Sequence, residues 1–351
     1  MLTVIIPTMN RPDFLRRLLN YYAQASFGGW LFVGDASMDL YAQKVQRIVE
    51  EYQGKIHLRY EHLPGQSIAQ TLAYFGPLIQ TPYVVLNPDD DLFVFSGLQR
   101  CEDFLNGNPS YTAANGQAAL FLIENGKPCG AVQDLGDYPL MPSENEDPVA
   151  RLEEFLEYYW VALFSVHRTS VWQQMWHYGS GIKDVAFAAE LLPNCLSIIA
   201  GKIKHLNTLY LFRQEHERRY TLTDAYDWQT SYEWQNGYQI FSNTLIETLV
   251  NKGIDKKRAQ QAVKKAFWGY LSSCLTGQFK NQYCRLKTKD NFKEACRNLP
   301  GIGDSLAKGL SNIQKIRLSF SRNITLNGLL NKSHPEYAQF QMVYKAITYS
   351  I

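Results

Sequence analysis

Residues 84–93 read VVLNPDDDLF, and the predicted fold is organised around this segment. Its apolar first half predicts a buried strand, and this strand ends in three adjacent carboxylates, Asp89, Asp90 and Asp91. Three like charges at a strand end are costly unless a cation lies among them, and a divalent metal ion that carries a phosphate is the usual solution. The segment therefore predicts a metal–diphosphate site. A solvated Asp-rich turn that caps a helix is the alternative for these three residues alone.

Short apolar runs and helical patterns alternate in the residues before this segment. The runs predict buried strands, the first of which should end at Pro7: Leu2–Ile6, Leu31–Val33, Ile56–Tyr60 and Tyr83–Leu86. Three helices are predicted between them. The first should begin after Asn10 as its N-cap, with Pro12 in the first turn, and the third should cover Ile68–Ile79. This alternation indicates an α/β fold with a doubly wound, mostly parallel sheet and helices on both faces.

Polar side chains follow several of these strands directly. In a doubly wound sheet, ligands bind beyond the carboxyl ends of the strands. Thr8, Asp35 and Ser37 are therefore expected to line one crevice together with the three aspartates. Any one of these residues could be only a helix cap, but six polar groups at neighbouring strand ends favour a binding site.

Composition excludes several classes of protein. The chain of 351 residues has 46% hydrophobic and 19% charged residues, which is a globular composition. A net charge of +2 argues against nucleic acid as a partner. The six cysteines show no Cys-x-x-Cys spacing, so neither a zinc site nor a disulfide framework is indicated. No signal peptide and no apolar run of ~18 residues is apparent. We expect a cytoplasmic protein, with a place at the inner face of the plasma membrane as a variant of this expectation.

Segments between residues 3 and 216 resemble, in order and approximate spacing, those of a bacterial family 2 glycosyltransferase with the GT-A nucleotide-sugar-binding fold. The matching segments are Thr3–Arg11, Val33–Asp39, Leu86–Asp91, Ala189–Leu191 with Gly201–Lys202, and Leu209–His216. The resemblance implies transfer of a sugar, with inversion, from a nucleotide-diphosphate sugar to a hydroxyl of a glycan or glycolipid, as in cell-surface polysaccharide synthesis. The default donor is a UDP-sugar. Gly34 and Gln70 stand where the family commonly has an acidic residue and an Arg.

The expected contacts follow from the resemblance together with the residue chemistry. Asp91 and Asp89 alternate along an extended segment and can present two carboxylates to one side, so they are the expected ligands of manganese or magnesium, with His216 as a third. Residues expected to contact the nucleotide sugar are Pro7, Thr8, Asn10, Arg11, Asp35, Ser37, Gln70, Asp89, Asp90, Arg213 and Arg218.

A general base must take the proton of the acceptor hydroxyl. Glu190 is the candidate, because a lone carboxylate in an apolar neighbourhood has a raised pKa suited to proton transfer. Asp184 is the second candidate and has a helix cap as its alternative role. Arg213, His216, Arg218 and Arg219 form a basic cluster that predicts a flexible lid over the diphosphate, with a merely solvated loop as the alternative.

The sequence predicts a catalytic domain over residues 1–220, divided into a nucleotide-sugar half (1–95) and an acceptor half (96–220), and a helical region over 221–351. The acceptor half should contain strands at Tyr111–Ala114, Leu120–Ile123 and Trp160–Val166, a tight turn at 125–127 and a surface loop at Gly136–Pro148. The helical region should contain helices at Tyr238–Val250, Ala259–Leu275, Phe292–Ala295, Ile313–Phe320 and Tyr337–Tyr349.

Basic and aromatic residues between Lys256 and Tyr270 could serve as a peripheral membrane contact or a homodimer face, or could simply pack on the catalytic domain with the lysines in solvent.

Two other classes of protein share this type of sheet. A sugar-nucleotide nucleotidyltransferase needs a Gly-rich N-terminal loop, and the segment Leu2–Arg11 contains no Gly. A non-catalytic sugar-nucleotide-binding protein would not need the acidic residues Asp89, Asp91 and Glu190. Both observations favour the transferase.

Overall fold

The computed structural model describes residues 1–123, 126–217, 223–279 and 324–349. Its strands are β1 (Leu2–Thr8), β2 (Trp30–Asp35), β3 (His57–His62), β4 (Tyr83–Leu86), β5 (Leu92–Phe93), β6 (Tyr111–Ile123), β7 (Val132–Tyr138), β8 (Val166–Arg168) and β9 (Lys202–Glu215). Its helices are α1 (Pro12–Gln24), α2 (Asp39–Tyr52), α3 (Ile68–Phe75), α4 (Phe95–Gly107), α5 (Pro148–Glu157), α6 (Thr169–His177), α7 (Leu192–Ala200), α8 (Ala225–Gln229), α9 (Trp234–Asn251), α10 (Lys256–Phe279), α11 (Leu326–Leu329) and α12 (Tyr337–Thr348).

The strands of the described residues form one sheet in the order β3-β2-β1-β4-β8-β6-β9-β5, and β7 pairs with β6. Strands β3, β2, β1 and β4 are parallel to one another, as a doubly wound fold requires. Strand β8 joins β4 to β6 in antiparallel orientation, and β6 is parallel to β9. The predicted fold class is confirmed, including the C-terminal helical region, and the long pair β6–β9 brings residues after 200 back to the site.

The first βα unit differs from its prediction at the turn. Pro7 does not end β1 but lies within it opposite Gly34, because the fixed φ of proline is compatible with an extended chain. Helix α1 begins at Pro12 without a side-chain cap, so the prediction that Asn10 caps it is wrong. Asn10 has a φ of 57°, and its side chain accepts a hydrogen bond from Met38 N at 3.0 Å instead. This contact ties the turn after β1 to the turn after β2.

The acceptor half has a different strand pattern from the predicted one. The two strands predicted at Tyr111–Ala114 and Leu120–Ile123 are parts of the single strand β6. Most of the predicted strand Trp160–Val166 is instead a 3₁₀ turn at Ala162–Phe164, because an apolar run can be buried in any backbone conformation, and only Val166 belongs to a strand, as the first residue of β8. Residues 136–138 of the predicted surface loop belong to β7.

The helical region packs against the sheet domain through aromatic residues. Helices α9, α10 and α12 confirm three of the predicted helices. Phe267 of α10 is fully buried and lies 5.8 Å from Phe187 and 5.3 Å from Phe241, measured between ring centroids. Arg258 pairs with Asp147, the N-cap of α5, and Lys265 pairs with Glu153 of α5, so part of the basic face is directed at the protein itself. None of the helices that the structure describes is long and apolar enough to cross a membrane.

Some predictions concern residues outside the described ranges. These are the first residue of the tight turn, the lid arginines and two C-terminal helices: Asn125, Arg218, Arg219, Phe292–Ala295 and Ile313–Phe320.

Candidate active site

The three aspartates lie between β4 and β5 and are buried, with exposed fractions of 0% for Asp89, 4% for Asp90 and 0% for Asp91. The alternative of a solvated turn is therefore wrong. Asn87 holds the loop in place, because its Nδ2 donates hydrogen bonds to the carbonyl oxygens of Pro88 and Asp91 at 2.7 and 3.1 Å. The strand end thus carries a fixed cluster of buried carboxylates.

Two arginines supply the positive charge that these carboxylates need. Arg11 Nη1 donates to Asp90 Oδ2 at 2.8 Å, and Arg11 Nη2 lies 2.5 Å from Asp89 Oδ1. On the other side, Arg213 Nε donates to Asp91 Oδ2 at 2.7 Å. A guanidinium group stays charged when buried, so it can neutralise a carboxylate inside the protein. The cations that the sequence required among the aspartates are guanidinium groups here.

The three carboxyl groups differ in protonation behaviour. Burial raises the pKa of Asp89 to about 7, against the opposing charge of Arg11. Burial likewise raises the pKa of Asp91 to about 6, against Arg213. Burial would also raise the pKa of Asp90, but the hydrogen bond from His216 and the charge of Arg11 outweigh it and lower that pKa below its usual range. Asp90 is therefore the member of the cluster that stays ionised most firmly.

The predicted metal site is not assembled in this arrangement. Carboxylate oxygens suit a hard divalent cation, and Asp89 Oδ1 accepts no hydrogen bond, but it lies 2.5 Å from the Arg11 guanidinium. Asp91, however, has both oxygens engaged, by Arg213 Nε and by Gln214 N at 3.1 Å. Within the described ranges, no group of three His, Cys, Asp or Glu side chains could hold a metal ion. As placed, Asp91, Asp89 and His216 do not fit such an ion.

His216 belongs to the buried network rather than to an exposed lid. Its side chain is fully buried and stacks on the Phe14 ring, with 4.8 Å between centroids. Its Nε2 lies 3.1 Å from Asp90 Oδ2. The alternative that this part of the basic cluster is merely solvated is wrong for His216 and for Arg213, because both side chains contact the aspartates.

The carboxyl ends of β1 and β2 adjoin the aspartate cluster. Thr8 Oγ1 donates to Asp89 Oδ2 at 2.6 Å, which links β1 to the aspartate loop. Asp35 is fully buried, and its oxygens accept hydrogen bonds from Ser37 N at 2.9 Å and from the Tyr60 hydroxyl at 3.0 Å. Ser37 Oγ in turn accepts a hydrogen bond from Asn10 N at 2.7 Å. The two hydrogen-bonded sets lie side by side at the strand ends, because Thr8 and Asp35 are register partners.

Two positions that depart from the family pattern have structural roles. A Cβ atom on Gly34 would lie 2.4 Å from Thr71 Cγ2 and 2.8 Å from the Phe75 ring, so the close approach of α3 leaves no room for an acidic side chain. Gln70 is exposed and completes a capping box at the start of α3, where its Oε1 accepts a hydrogen bond from Ser67 N at 2.9 Å. The Gln70 side chain is thus occupied in a helix cap.

Glu190 lies on the π-helical turn Phe187–Leu191, immediately before α7. Its Oε1 accepts a hydrogen bond from the Tyr159 hydroxyl at 2.8 Å. Burial raises the pKa of Glu190, while the hydrogen bond from Tyr159 and the charge of Arg213 oppose the rise. The second candidate, Asp184, accepts hydrogen bonds from Trp228 Nε1 and from the backbone N of Phe187, which is the capping role given as its alternative.

Arg213 and Tyr138 connect the aspartate cluster to Glu190. Arg213 Nη1 donates to the Tyr138 hydroxyl at 2.8 Å, and the guanidinium lies in the corner formed by the Tyr138 and Phe164 rings, 4.7 and 4.1 Å from their centroids. Burial raises the pKa of Tyr138, the charge and the hydrogen bond of Arg213 oppose the rise, and the charges of Asp91 and Glu190 add to it. Tyr138 therefore lies near enough to both carboxylates to be influenced by their charges.

The sequence did not single out three residues of this site. Arg17 is buried under the loop, and its Nη2 donates to the carbonyl oxygen of Asp90 at 2.5 Å. The sequence did contain an indication that Arg17 is buried, because its position lies on the apolar face of α1 together with Phe14 and Leu18. Tyr138 fell in a segment expected to be a surface loop, and Tyr159 preceded an expected strand.

No protein-family model and no curated protein matches the chain. Among solved structures, it is similar to residues 1–349 of S. aureus TarS in complex with UDP-GlcNAc, with a TM-score of 0.54 and 16% identity over 87% of this chain and 83% of that chain. The chain shares the fold of TarS. A second structure of the same TarS fragment gives a TM-score of 0.52 and 15% identity over 87% and 82%. At these identities the likeness concerns the fold alone.

Proposed function

We propose that the protein is a glycosyltransferase that moves a sugar from a nucleotide-diphosphate sugar to a hydroxyl of a glycan or glycolipid. The observation that carries the proposal is the fixed array of arginines on buried aspartates at the carboxyl ends of the parallel strands, in which Arg213 also binds Tyr138. Glu190, a buried carboxylate near enough to Arg213 for its charge to act on it, is the proposed base. Group transfer from a phosphate ester to an alcohol needs both a stabilised leaving group and a base.

The nucleotide would bind at the carboxyl ends of β1 and β2. Asp35 offers carboxylate oxygens that Ser37 and Tyr60 hold in place, and such oxygens accept hydrogen bonds from a ribose or a base. Asn10 and Ser37 bring the two turns together around it. UDP-GlcNAc is the ligand of the TarS complex whose fold this chain shares, so a UDP-sugar is the first donor to test.

The departing diphosphate gains negative charge as its bond to the sugar breaks. Arg11 and Arg213 are the groups placed to stabilise this charge, because their guanidinium groups match phosphate oxygens in geometry. The aspartates hold both arginines in position before the donor arrives, so little reorganisation is needed at the moment of transfer. His216, buried beside Asp90, fixes the edge of this array. The proposed stabilisation relies on the positive charges of this chain's own residues.

The acceptor hydroxyl attacks the anomeric carbon while the bond from that carbon to the phosphate oxygen breaks. Glu190 takes the hydroxyl proton, and the nucleoside diphosphate leaves with the electron pair of the broken bond. A single displacement of this kind inverts the configuration at the anomeric carbon. The raised pKa of Glu190 makes it a stronger base than an exposed carboxylate once it is ionised.

The test is release of nucleoside diphosphate from a panel of UDP- and GDP-sugars by the full chain, with water or added sugars as acceptor. We expect turnover of at least one donor and a loss of about 100-fold or more in Glu190→Gln. Asp184→Asn is the matched control, since Asp184 binds Trp228 and should affect stability more than turnover. Release of pyrophosphate from a sugar phosphate and a nucleoside triphosphate would instead identify a nucleotidyltransferase. Binding of a donor without any turnover would identify a non-catalytic protein.

A further inference from the structure

Glu190 is held by a small hydrogen-bond network formed with Tyr159 and Asn194. The Tyr159 hydroxyl donates to Glu190 Oε1 at 2.8 Å. Asn194 Nδ2 donates to the Tyr159 oxygen at 3.2 Å and to the carbonyl oxygen of Glu190 at 2.8 Å. One amide group therefore fixes both the backbone of the base and the phenol that contacts its side chain.

The network is anchored to the core. Asn194 is fully buried on α7, and its Oδ1 accepts a hydrogen bond from Leu163 N at 3.0 Å, so its amide orientation is fixed. The Tyr159 ring packs against Phe155 and Tyr270, with centroid distances of 5.3 and 5.0 Å. Because the Tyr159 phenol is held both at its ring and at its oxygen, it has little freedom to move. The position of the Tyr159 hydroxyl therefore determines the position of the Glu190 carboxylate.

The Tyr159 hydroxyl is a permanent donor. Burial raises the pKa of Tyr159 well above its ordinary value, so the phenol keeps its proton throughout the neutral range. A hydrogen bond donated to a carboxylate stabilises the ionised form, which is the form that can accept a proton. In the part of the chain that the structure describes, Tyr159 is the residue whose side chain donates a hydrogen bond to Glu190, through Oε1. Oε2 is left for the hydroxyl of an acceptor.

We propose that Tyr159 is the positioning residue of the base: it holds Oε1 of Glu190, directs Oε2 toward the acceptor and stabilises the carboxylate. The catalytic role of Tyr159 rests on the proposed function, whereas the hydrogen bond from Tyr159 to Glu190 is independent of that function.

Besides Tyr159, the titratable groups that face Glu190 come from three elements, and only one of these groups favours the carboxylate. Arg213 of β9 does so by its charge. The others are neutral groups whose own pKa values burial raises, so they do not compete for the proton: Tyr138 of β7 and Tyr270 and Cys274 of α10. The expected effect of Tyr159 is therefore separable from theirs.

The direct test is the pKa of Glu190 in the full chain without ligand. Carbon-13 NMR of glutamate-labelled protein follows the side-chain carboxyl signals with pH, and Glu190→Gln identifies the signal by its loss. We expect Tyr159→Phe to raise the pKa of Glu190 by about one unit, because a hydrogen bond to a charged group is lost. Tyr270→Phe is the matched control, since Tyr270 packs on Tyr159 without bonding to Glu190, and should leave that pKa in place.

An unchanged pKa in Tyr159→Phe, or an equal rise in Tyr270→Phe, would overturn the proposal. If Tyr159→Phe does not fold, 3-fluorotyrosine at position 159 provides a second variant that keeps the ring and strengthens the donor. It should lower the pKa of Glu190, and a rise or no change would equally contradict the proposal.

The catalytic part is tested by the pH profile of donor turnover. We expect the acid limb of kcat to move up by the same one unit or so in Tyr159→Phe, with KM for the donor unchanged, because the donor binds at the other half of the site. A parallel loss at all pH values would mean a merely structural role. If the wild type turns over no nucleotide sugar, the proposed function fails and the catalytic role of Tyr159 fails with it, whereas the NMR result still decides whether Tyr159 controls Glu190.

Discussion

Replacing Arg213 by Met should destabilise the protein mainly because Asp91 would lose its partner. The methionine side chain still fills much of the corner between Tyr138 and Phe164, so little packing is lost. The change removes a 2.7 Å hydrogen bond to Asp91 and a 2.8 Å hydrogen bond to Tyr138. Removal of one partner of a buried ion pair costs about 3–5 kcal/mol, most of it from the charge left behind.

The magnitude can be separated by a double-mutant cycle. Asp91→Asn alone leaves Arg213 buried without its partner and should cost a similar amount. The double variant Arg213→Met with Asp91→Asn leaves neither partner of this pair as an unpaired charge. We therefore expect its loss of unfolding free energy to be smaller than the sum of the two single losses by about 2–3 kcal/mol. The exposed pair Arg16–Glu51 provides a matched control cycle, in which no measurable coupling is expected because solvent screens both charges.

The assay is urea unfolding in a buffer that contains a chelator, at about pH 8. Burial already raises the pKa of Asp91 to about 6 against the charge of Arg213, and loss of Arg213 should raise it further, so an alkaline buffer limits the proton uptake that would hide the unpaired charge. If the single losses add within about 0.5 kcal/mol, Arg213 is not the counter-charge of Asp91 and the reasoning about the cluster is refuted.

Three further predictions follow from the packing around the site. Gly34→Ala should lower the free energy of unfolding by about 1–3 kcal/mol, since the new Cβ would meet Thr71. The control Gly28→Ala, with no atom within 4 Å of the new Cβ, should cost less, and equal losses in thermal or urea unfolding would contradict this prediction. His216→Ala should lower both donor turnover and the melting temperature because the ring is buried. An unchanged melting temperature would mean that the ring is solvated, as in the alternative of an exposed lid. Without nucleotide, Mn²⁺ should bind more weakly than about 1 mM, because arginines already occupy the carboxylates; electron paramagnetic resonance measures the free ion, and tighter binding would contradict the assignment.

The sheet and the location of the site could be predicted because both depend on local patterns. Strand β4 coincides with the predicted Tyr83–Leu86, and Thr8 at the end of β1 does contact Asp89 after β4. These features need only the apolar runs and the rule that ligands bind at the carboxyl ends of parallel strands. The capping alternative for Asp184 was also visible from its position before a helix.

The counter-charges could not be predicted in the same way. Arg213 lies 122 residues from Asp91 in the sequence. At such a separation, the sequence does not indicate which arginine pairs with which carboxylate. A metal ion and a guanidinium group satisfy the same electrostatic demand, so the three aspartates alone do not distinguish them. Tyr138 was missed for a related reason, since β7 is a polar strand whose pairing with β6 is a tertiary property.

Arg17 joins segments that are far apart along the chain. Its guanidinium binds the carbonyl oxygen of Asp90, the carbonyl oxygen of Pro128 and Oε1 of Gln214, at sequence separations of 73, 111 and 197 residues. Each of these contacts closes a long loop, and loop closure slows the folding of proteins whose contacts are mostly non-local.

This connectivity has a consequence for the order of events during synthesis. A nascent chain that has exposed the first four strands already carries the aspartates but lacks Gln214 and Arg213, so the cluster cannot yet be neutralised from that side. We therefore expect the cluster of aspartates and arginines to be among the last parts of the protein to fold. Nucleotide affinity would then report on completion of the whole sheet, and bound nucleotide would slow global unfolding rather than local opening.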